Sequence, residues 1–153
     1  MKIYYVMSAF LMAASFFAGT VRHESNVMTI TVVERATTDV VTDVGDEGDS
    51  VGDILTFANE VFDENNEEKV GTDQGYCFRT VAPGAWECNW TIFLPDGQIT
   101  VEGPFFDTSE STLAITGGTG AYADASGQMA LKFRNDEGTE FDFVYEITMA
   151  PAE

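Results

Sequence analysis

Alternation of apolar and polar side chains constrains the fold of this chain more than any other feature. The segment 140–149 shows it most clearly, because every odd position is apolar: Phe141, Phe143, Tyr145, Ile147 and Met149. A repeat of two residues is typical of a β-strand with one buried face, whereas a helix repeats every 3.6 residues. This segment is therefore predicted to be a strand whose odd side chains face a core.

The same count assigns most of the chain to strands. We predict strands at residues 28–35, 54–62, 70–81, 86–94, 98–105, 112–116, 128–134 and 140–149, separated by turns rich in Gly, Pro, Asn and Asp. About eight antiparallel strands predict a closed barrel or a sandwich, and a barrel leaves no sheet edge exposed. The fold class that we expect is all-β, an eight-stranded antiparallel β-barrel.

A glycine-rich stretch at residues 111–131, STLAITGGTGAYADASGQMAL, superficially matches a nucleotide-binding loop. That motif requires a sustained helix inside a β–α–β unit, with the phosphate at the start of the helix. Here Gly127 follows Gly120 after one short turn, and the next residues alternate again. We therefore predict that the glycine cluster at 117–120 forms a tight loop between antiparallel strands, and that the chain has no dinucleotide site.

Residues 1–20 have the features of an export signal. Lys2 precedes an apolar run from Ile3 to Phe17, and small residues follow. The run is shorter than the roughly 20 residues of a membrane-spanning helix and has no stop-transfer flank. We expect a secreted or extracytoplasmic protein with no stable membrane span after processing, whose barrel domain comprises residues 28–149.

Acidic residues dominate the charge, with 26 Asp and Glu against 7 Lys and Arg and a formal net charge of −19. Such a charge repels phosphate backbones and anionic lipids, so we expect no binding to nucleic acid or to membrane surfaces. The acidic segment 39–53 lacks the spacing of an EF-hand. It is therefore predicted to be a solvated loop rather than a calcium site, and we expect no metal or other cofactor.

The two cysteines, Cys77 and Cys88, flank the predicted turn at 81–84. A four-residue loop there would place them directly opposite each other on neighbouring strands, where a disulfide is geometrically possible and an oxidising compartment would favour it. The single histidine, His23, lies outside the predicted barrel. Because no activating base is near, we do not expect a cysteine nucleophile.

Several side chains are candidates for a ligand cavity. Asn59 interrupts an otherwise apolar face, and a buried amide must be hydrogen-bonded, so it fixes a loop or a structural water, or it binds a ligand. The aromatic candidates are Phe57, Trp86, Trp90, Phe105 and Tyr122. They either fill the core or line a cavity, because the interior of an eight-stranded barrel has room either for packed side chains or for one small ligand.

Four segments carry a resemblance to a known superfamily: GDSVGDILTFANEVFDE, KVGTDQGYC, ITVEGPFF and LAITGGTGAYADASGQM. Together they span residues 48–133 in an order and spacing that resemble the allene oxide cyclase barrels and their dirigent-protein relatives. The resemblance implies an eight-stranded antiparallel barrel with an apolar cavity that is entered from one end. It also implies a homo-oligomer, either a trimer or a dimer.

The resemblance implies roles for individual residues. Asn59 and Cys77 match the Asn and Cys of the plant cyclases, where the Asn helps to fix a water on an epoxide oxygen; Cys77 would form a soft apolar wall. A Glu on the first strand of those enzymes falls near Thr31 here, and the Tyr after their Gly-Pro pair is Phe105. We therefore expect no inward carboxylate, so that the fold carries over but the plant cyclase activity does not.

From these observations we expect an exported barrel that binds a hydrophobic small molecule. Asn59 would be its polar anchor, and Cys77, Trp86, Phe105 and Phe57 would be its walls. Such a barrel would act as an isomerase or cyclase, or as a dirigent-type guide, by positioning its ligand and excluding water. The alternatives are a carrier without chemistry and a structural oligomer whose barrel is packed solid.

Overall fold

The computed structural model describes residues 26–149, which form ten β-strands. They are β1 (Asn26–Arg35), β2 (Val40–Thr42), β3 (Ile54–Phe57), β4 (Glu60–Asp63), β5 (Lys69–Val81), β6 (Ala85–Leu94), β7 (Gly97–Phe106), β8 (Ser111–Gly120), β9 (Ser126–Phe133) and β10 (Glu140–Met149). No helix in this part of the chain is long and apolar enough to cross a membrane. The expected signal segment, residues 1–20, lies outside the described residues.

All the strand pairs are antiparallel, and the sheet closes on itself. Around the ring the order is β1, β4, β5, β6, β7, β8, β9 and β10, which pairs again with β1. β3 and β4 lie end to end along β5 and count as one interrupted strand, while β2 pairs with β3 at the side of the ring. This closed eight-stranded barrel confirms the predicted fold class and contains no β–α–β unit among residues 26–149 for a dinucleotide.

The period-two pattern decides which side chains fill the barrel. Phe143 and Tyr145 on β10 are almost fully buried, as the alternation predicts. Aromatic rings contact each other across the interior: Trp90 lies 5.5 Å from Phe143 and Phe105 lies 5.9 Å from Phe141, measured between ring centroids. Because burial of each large apolar side chain stabilises a fold by about 1.5–3 kcal/mol, this core holds the ring closed.

The predicted strand at 54–62 is interrupted at Ala58 and Asn59. β1 pairs with β4 as far as Arg35, and the chain then turns away toward β2, which leaves the edge at 58–59 without a partner strand. The loop after β1 covers this edge instead, because Ala58 N donates to Thr38 Oγ1 at 2.8 Å. The interruption therefore follows from where the chain crosses between strands.

The glycine cluster lies within β8 and not in a loop, so its predicted position is wrong by a few residues. The turn comes at residues 121–124, where Tyr122 N donates to Thr119 O. At Gly118 a Cβ atom would lie 2.4 Å from Tyr122 O and 2.5 Å from Gln98 O. Glycine is required there because the turn folds back onto the strand.

The acidic segment 39–53 is mostly exposed, as predicted, but it is also tied to the barrel. The Arg79 guanidinium donates to both oxygens of Asp49, at 2.6 and 2.7 Å, and to Asp107 at 2.5 Å. Arg79 is buried and lies over the ring of Trp86, 4.5 Å from its centroid. These contacts close this part of the barrel end.

Gly75→Ala tests how closely β5 packs against β6. An added Cβ atom would lie 2.3 Å from the Cβ atom of Trp90 and 2.5 Å from Asn89 O. We expect the substitution to lower the free energy of unfolding by about 1–3 kcal/mol through overpacking. Urea denaturation measures this loss, with Gln74→Ala, an exposed change on the same strand, as the control. Equal stabilities of the two variants would show that the barrel widens freely here.

Candidate active site in the barrel

A cavity opens at the end of the barrel where β1, β5 and β7 end and β10 begins. Its volume, counted as the space open to the centre of a water molecule, is about 40 Å³. One water needs roughly 10–15 Å³ on this measure, so the cavity holds a few waters or one end of a ligand. Its walls are five aromatic rings, two leucines, both cysteines and two acidic residues. The barrel is therefore not packed solid at this end.

The structure brings together most of the residues that the sequence singled out. Phe57, Cys77 and Phe105 line the cavity. Trp86 is buried beneath Arg79 and is not part of the lining. Asn59 lies behind the lining and contacts its two acidic residues, Glu34 and Asp39. That these side chains bind a ligand remains a prediction.

Cys77 and Cys88 form a disulfide between β5 and β6. They lie directly opposite each other, with their Cα atoms 4.0 Å apart, and both are buried. Both also line the cavity. The two interpretations of Cys77, as a disulfide partner and as a cavity wall, are therefore both correct.

A carboxyl group lies inside the barrel, contrary to the prediction from the sequence. Glu34 is only 5% exposed, and on the neighbouring strands it pairs with Val61 and Phe141, whose side chains are buried. The expectation that the position of the plant cyclase Glu falls near Thr31, and that no carboxylate points inward, is wrong. Thr31 pairs instead with Val144 on the other face of the sheet. The alternation along β1 places Glu34 and not Thr31 in the interior.

Asn59 holds the acidic residues in place. Its Nδ2 donates to Glu34 Oε1 and to Asp39 Oδ1, both at 2.8 Å. Its Oδ1 accepts from the backbone N–H groups of Thr37 and Thr38, both at 3.0 Å. Of the interpretations of Asn59 from the sequence, the structure supports the one in which this amide fixes a loop. Asn59 is thus a positioning residue with no free hydrogen-bonding position for a ligand.

A second buried carboxylate, Asp73 on β5, lies beside Glu34. Its Oδ1 accepts from Asn59 N at 3.2 Å. Within residues 26–149, its Oδ2 receives no hydrogen bond from an N–H group or an alcohol or phenol hydroxyl. The Glu34 and Asp73 carboxyl groups are near enough for their negative charges to repel each other, and a proton on one of the two acids would let them hydrogen-bond.

Comparison with known proteins agrees with this architecture. Residues 28–143 match the family described as allene oxide cyclase barrel like domain. The chain belongs to this family. The resemblance that the sequence motifs carry is therefore confirmed, and the match covers nearly all of this allene oxide cyclase-like barrel.

Solved structures give the same result. A pyocyanin demethylase is 28% identical to this chain, with a TM-score of 0.66 over 77% of this chain and 100% of the demethylase. The pterocarpan synthase dirigent protein GePTS1 is 17% identical, with a TM-score of 0.69 over 85% and 88% of the two chains. AbnU, an exo-specific intermolecular Diels-Alderase, is 17% identical, with a TM-score of 0.64 over 80% and 98%. The last two likenesses show the fold alone.

In this allene oxide cyclase-like barrel, burial raises the pKa of both acids. Burial first, and then repulsion from Asp73, raise the pKa of Glu34 well above its usual range, although the hydrogen bond from Asn59 opposes this. Burial also raises the pKa of Asp73, against the opposing hydrogen bonds from Asn59 and Glu34. Because the pKa of Asp73 is raised to about 7 and that of Glu34 is also strongly raised, the pair keeps at least one proton at neutral pH. Such a pair can both donate and accept a proton.

Two further buried polar atoms lie near the pair. The Tyr145 hydroxyl and Trp90 Nε1 have no hydrogen-bond partner among the described residues. Burial, and then the charge of Asp73, raise the pKa of Tyr145, so the phenol stays protonated. An unsatisfied buried polar group costs about 1–3 kcal/mol, which a bound water or ligand atom removes. From the sequence, Tyr145 is simply one of the apolar positions of its strand.

Asn59→Asp replaces the donor that holds Glu34 and Asp39 with a third acid. We expect the free energy of unfolding to fall by about 3–5 kcal/mol at pH 8, because three acidic groups would then face one another with no amide donor between them. The loss should be smaller at pH 5, where a proton restores one hydrogen bond. Urea denaturation at both pH values measures this, with Gln74→Glu, the same change of amide to acid at an exposed site, as the control. An equal loss at both pH values would contradict this assignment.

Asp73→Asn tests the protonation of the pair. Burial raises the pKa of Asp73 from 3.8 to about 7, so between these values the folded state holds more protons than the unfolded state. The stability of the wild-type protein therefore falls as the pH rises through this range. Because the variant lacks this dependence, its stability relative to wild type should rise by roughly 2–4 kcal/mol between pH 4 and pH 8.

Urea denaturation across this pH range measures the difference for Asp73→Asn. Asp124→Asn, which removes an exposed carboxylate in the turn at 121–124, is the control and should show no such trend. A difference between wild type and Asp73→Asn that stays constant with pH would mean that the pair is fully ionised.

Proposed function

We propose that this protein is an isomerase or cyclase that moves a proton within a hydrophobic small molecule bound in the barrel cavity. The observation that carries the proposal is the buried Glu34–Asp73 pair beside an aromatic cavity. Strongly raised carboxyl pKa values in a cleft are typical of acid–base sites. The family and its relatives support this class, since their names include a cyclase, a Diels-Alderase, a dirigent protein and a pyocyanin demethylase.

The pair can carry out the reaction without a net change in its own protonation. Glu34 lines the cavity and faces the ligand, while Asp73 lies behind it. Glu34 accepts a proton from one atom of the ligand as its own proton passes to Asp73. The reverse transfer then delivers a proton to a second atom of the ligand. The sum is an isomerisation, either a shift of a double bond or a ring closure, in which no electrons are gained or lost.

The cavity walls position the ligand and keep water out. Phe57 and Phe105 flank the cavity together with three other aromatic rings, and these apolar surfaces hold a ring against Glu34 while they exclude water. A ligand larger than a few atoms extends into the mouth, beside Asp39, which is exposed. The same geometry suits a dirigent-type guide, in which the walls set the conformation of a reacting molecule.

We also propose that the protein works outside the cytoplasm. The Cys77–Cys88 disulfide supports this, because such bonds form and persist in oxidising compartments. The composition of residues 1–20 is consistent with export.

Base-promoted ring opening of 5-nitrobenzisoxazole tests the proton-transfer site without knowledge of the natural ligand. A base removes the C3 proton while the N–O bond breaks, which yields a coloured cyanophenolate. We expect the protein to exceed acetate at equal concentration, with a rate that rises toward neutral pH as the pair loses the first of its two protons. Glu34→Gln should lower the rate by about 100-fold or more.

Glu87→Gln, which removes an exposed carboxylate on the outer face of β6, is the matched control and should leave the rate unchanged. Equal rates in wild type and Glu34→Gln would overturn the proposal. Native mass spectrometry of protein purified from its source adds a second measurement. A bound small molecule in a barrel that has no base activity would identify a carrier without chemistry instead.

A further inference from the structure

We infer that the ligand of this cavity is a planar aromatic cation, a ring system that bears a quaternary or protonated nitrogen. The inference rests on the proposed function, because it concerns the same cavity, and it specifies the chemical class of the ligand.

The charges around the cavity favour a cation. Glu34 and Asp39 line it, and Asp73 lies directly behind Glu34. Within residues 26–149, no Lys or Arg side chain lines the cavity. Arg79, the buried guanidinium at this end of the barrel, is occupied by its ion pairs with Asp49 and Asp107. An anionic ligand would be repelled here, and a neutral one would leave the acidic groups without a counter-charge.

The aromatic side chains that line the cavity also favour a cationic ligand. Trp90 lies 5.5 Å from the centroid of Phe143 and 6.0 Å from that of Phe57, so that three rings surround one corner of the cavity. The face of an aromatic ring carries partial negative charge and attracts a cation within about 6 Å, most strongly when the ring is that of Trp. Flat apolar walls select a flat ring, and the acidic groups select its charge.

A cation would also complete the buried acid pair. Asp73 is 1% exposed, and within the described part of the chain its Oδ2 has no hydrogen-bond donor. A positive charge beside Glu34 favours the ionised form of the pair. Binding of a cation should therefore release a proton near neutral pH, whereas binding of a neutral ring should not.

Three probes that share one ring skeleton test the inference: 1-methylquinolinium is positive, 1-methylnaphthalene is neutral and 1-naphthoate is negative. Each is titrated into the wild-type protein in 150 mM salt, with the indole N–H signal of Trp90 followed by NMR. Calorimetry in two buffers of different ionisation enthalpy counts the protons released. We expect 1-methylquinolinium to bind about tenfold or more tightly than 1-methylnaphthalene with release of a proton, and 1-naphthoate to bind most weakly.

Two variants separate the cavity from the overall negative charge of the protein. Asp39→Asn keeps the oxygen that accepts from Asn59 and should lower the preference for the cation by about threefold or more, while the affinity for 1-methylnaphthalene is unchanged. Glu87→Gln, on the outer surface, should change neither affinity.

The outcomes distinguish this inference from the proposed function. Equal or tighter binding of 1-methylnaphthalene would overturn the inference, but it would support an apolar ligand site and leave the proton-transfer proposal intact. Failure of all three probes to perturb Trp90 would overturn the inference. In that case the ring opening of 5-nitrobenzisoxazole decides whether the proposed function also fails.

Discussion

The hydrogen bonds of the Asn59 side chain connect the closure of the barrel to its chemistry. β1 pairs with β4 as far as Arg35 and then leaves the ring, so the sheet has a gap beside residues 58–59. The amide bridges this gap by accepting from the backbone of the loop after β1 and donating to Glu34 and Asp39. One side chain therefore completes the barrel wall and orients the carboxyl groups.

The acid pair is costly to the fold, and the surrounding core makes this cost tolerable. Glu34 and Asp73 are both almost completely buried, and burial is the largest cause of the raised pKa of each. An isolated ionised carboxylate would be unstable in this setting, but sharing one proton leaves a single charge between two side chains. The aromatic core that the alternating strands produce offsets the remaining penalty. Groups held in this way are typical of sites selected for activity rather than for stability.

The periodicity of the sequence was sufficient to predict the barrel but not the site. Each of the eight expected strands is present, but the structure differs from the prediction at three places: the interruption at 58–59, the short strand β2 inside the predicted acidic loop, and the extension of β8 through the glycine cluster. The resemblance correctly marked Asn59 and Cys77 as neighbours of the cavity. It did not identify the inward carboxylate, because alignment with the family pattern placed the Glu of the first strand near Thr31. Along β1, apolar residues at even positions alternate with threonines at 29 and 31, and this phase would have placed Glu34 inside. The partnership with Asp73 depends on strand register, which spacing alone does not determine.

The disulfide fixes one side of the cavity and leaves the other side untethered. Cys77 and Cys88 cross-link β5 to β6 on one side, so that side cannot recede when a molecule enters. Phe57 and Phe105 are only partly buried and have no such tether. Any widening of the cavity is therefore asymmetric, with the sulfur side as a fixed template and the phenyl side as the adaptable part. Discrimination by shape should accordingly be strict along one edge of a guest molecule and permissive along the other.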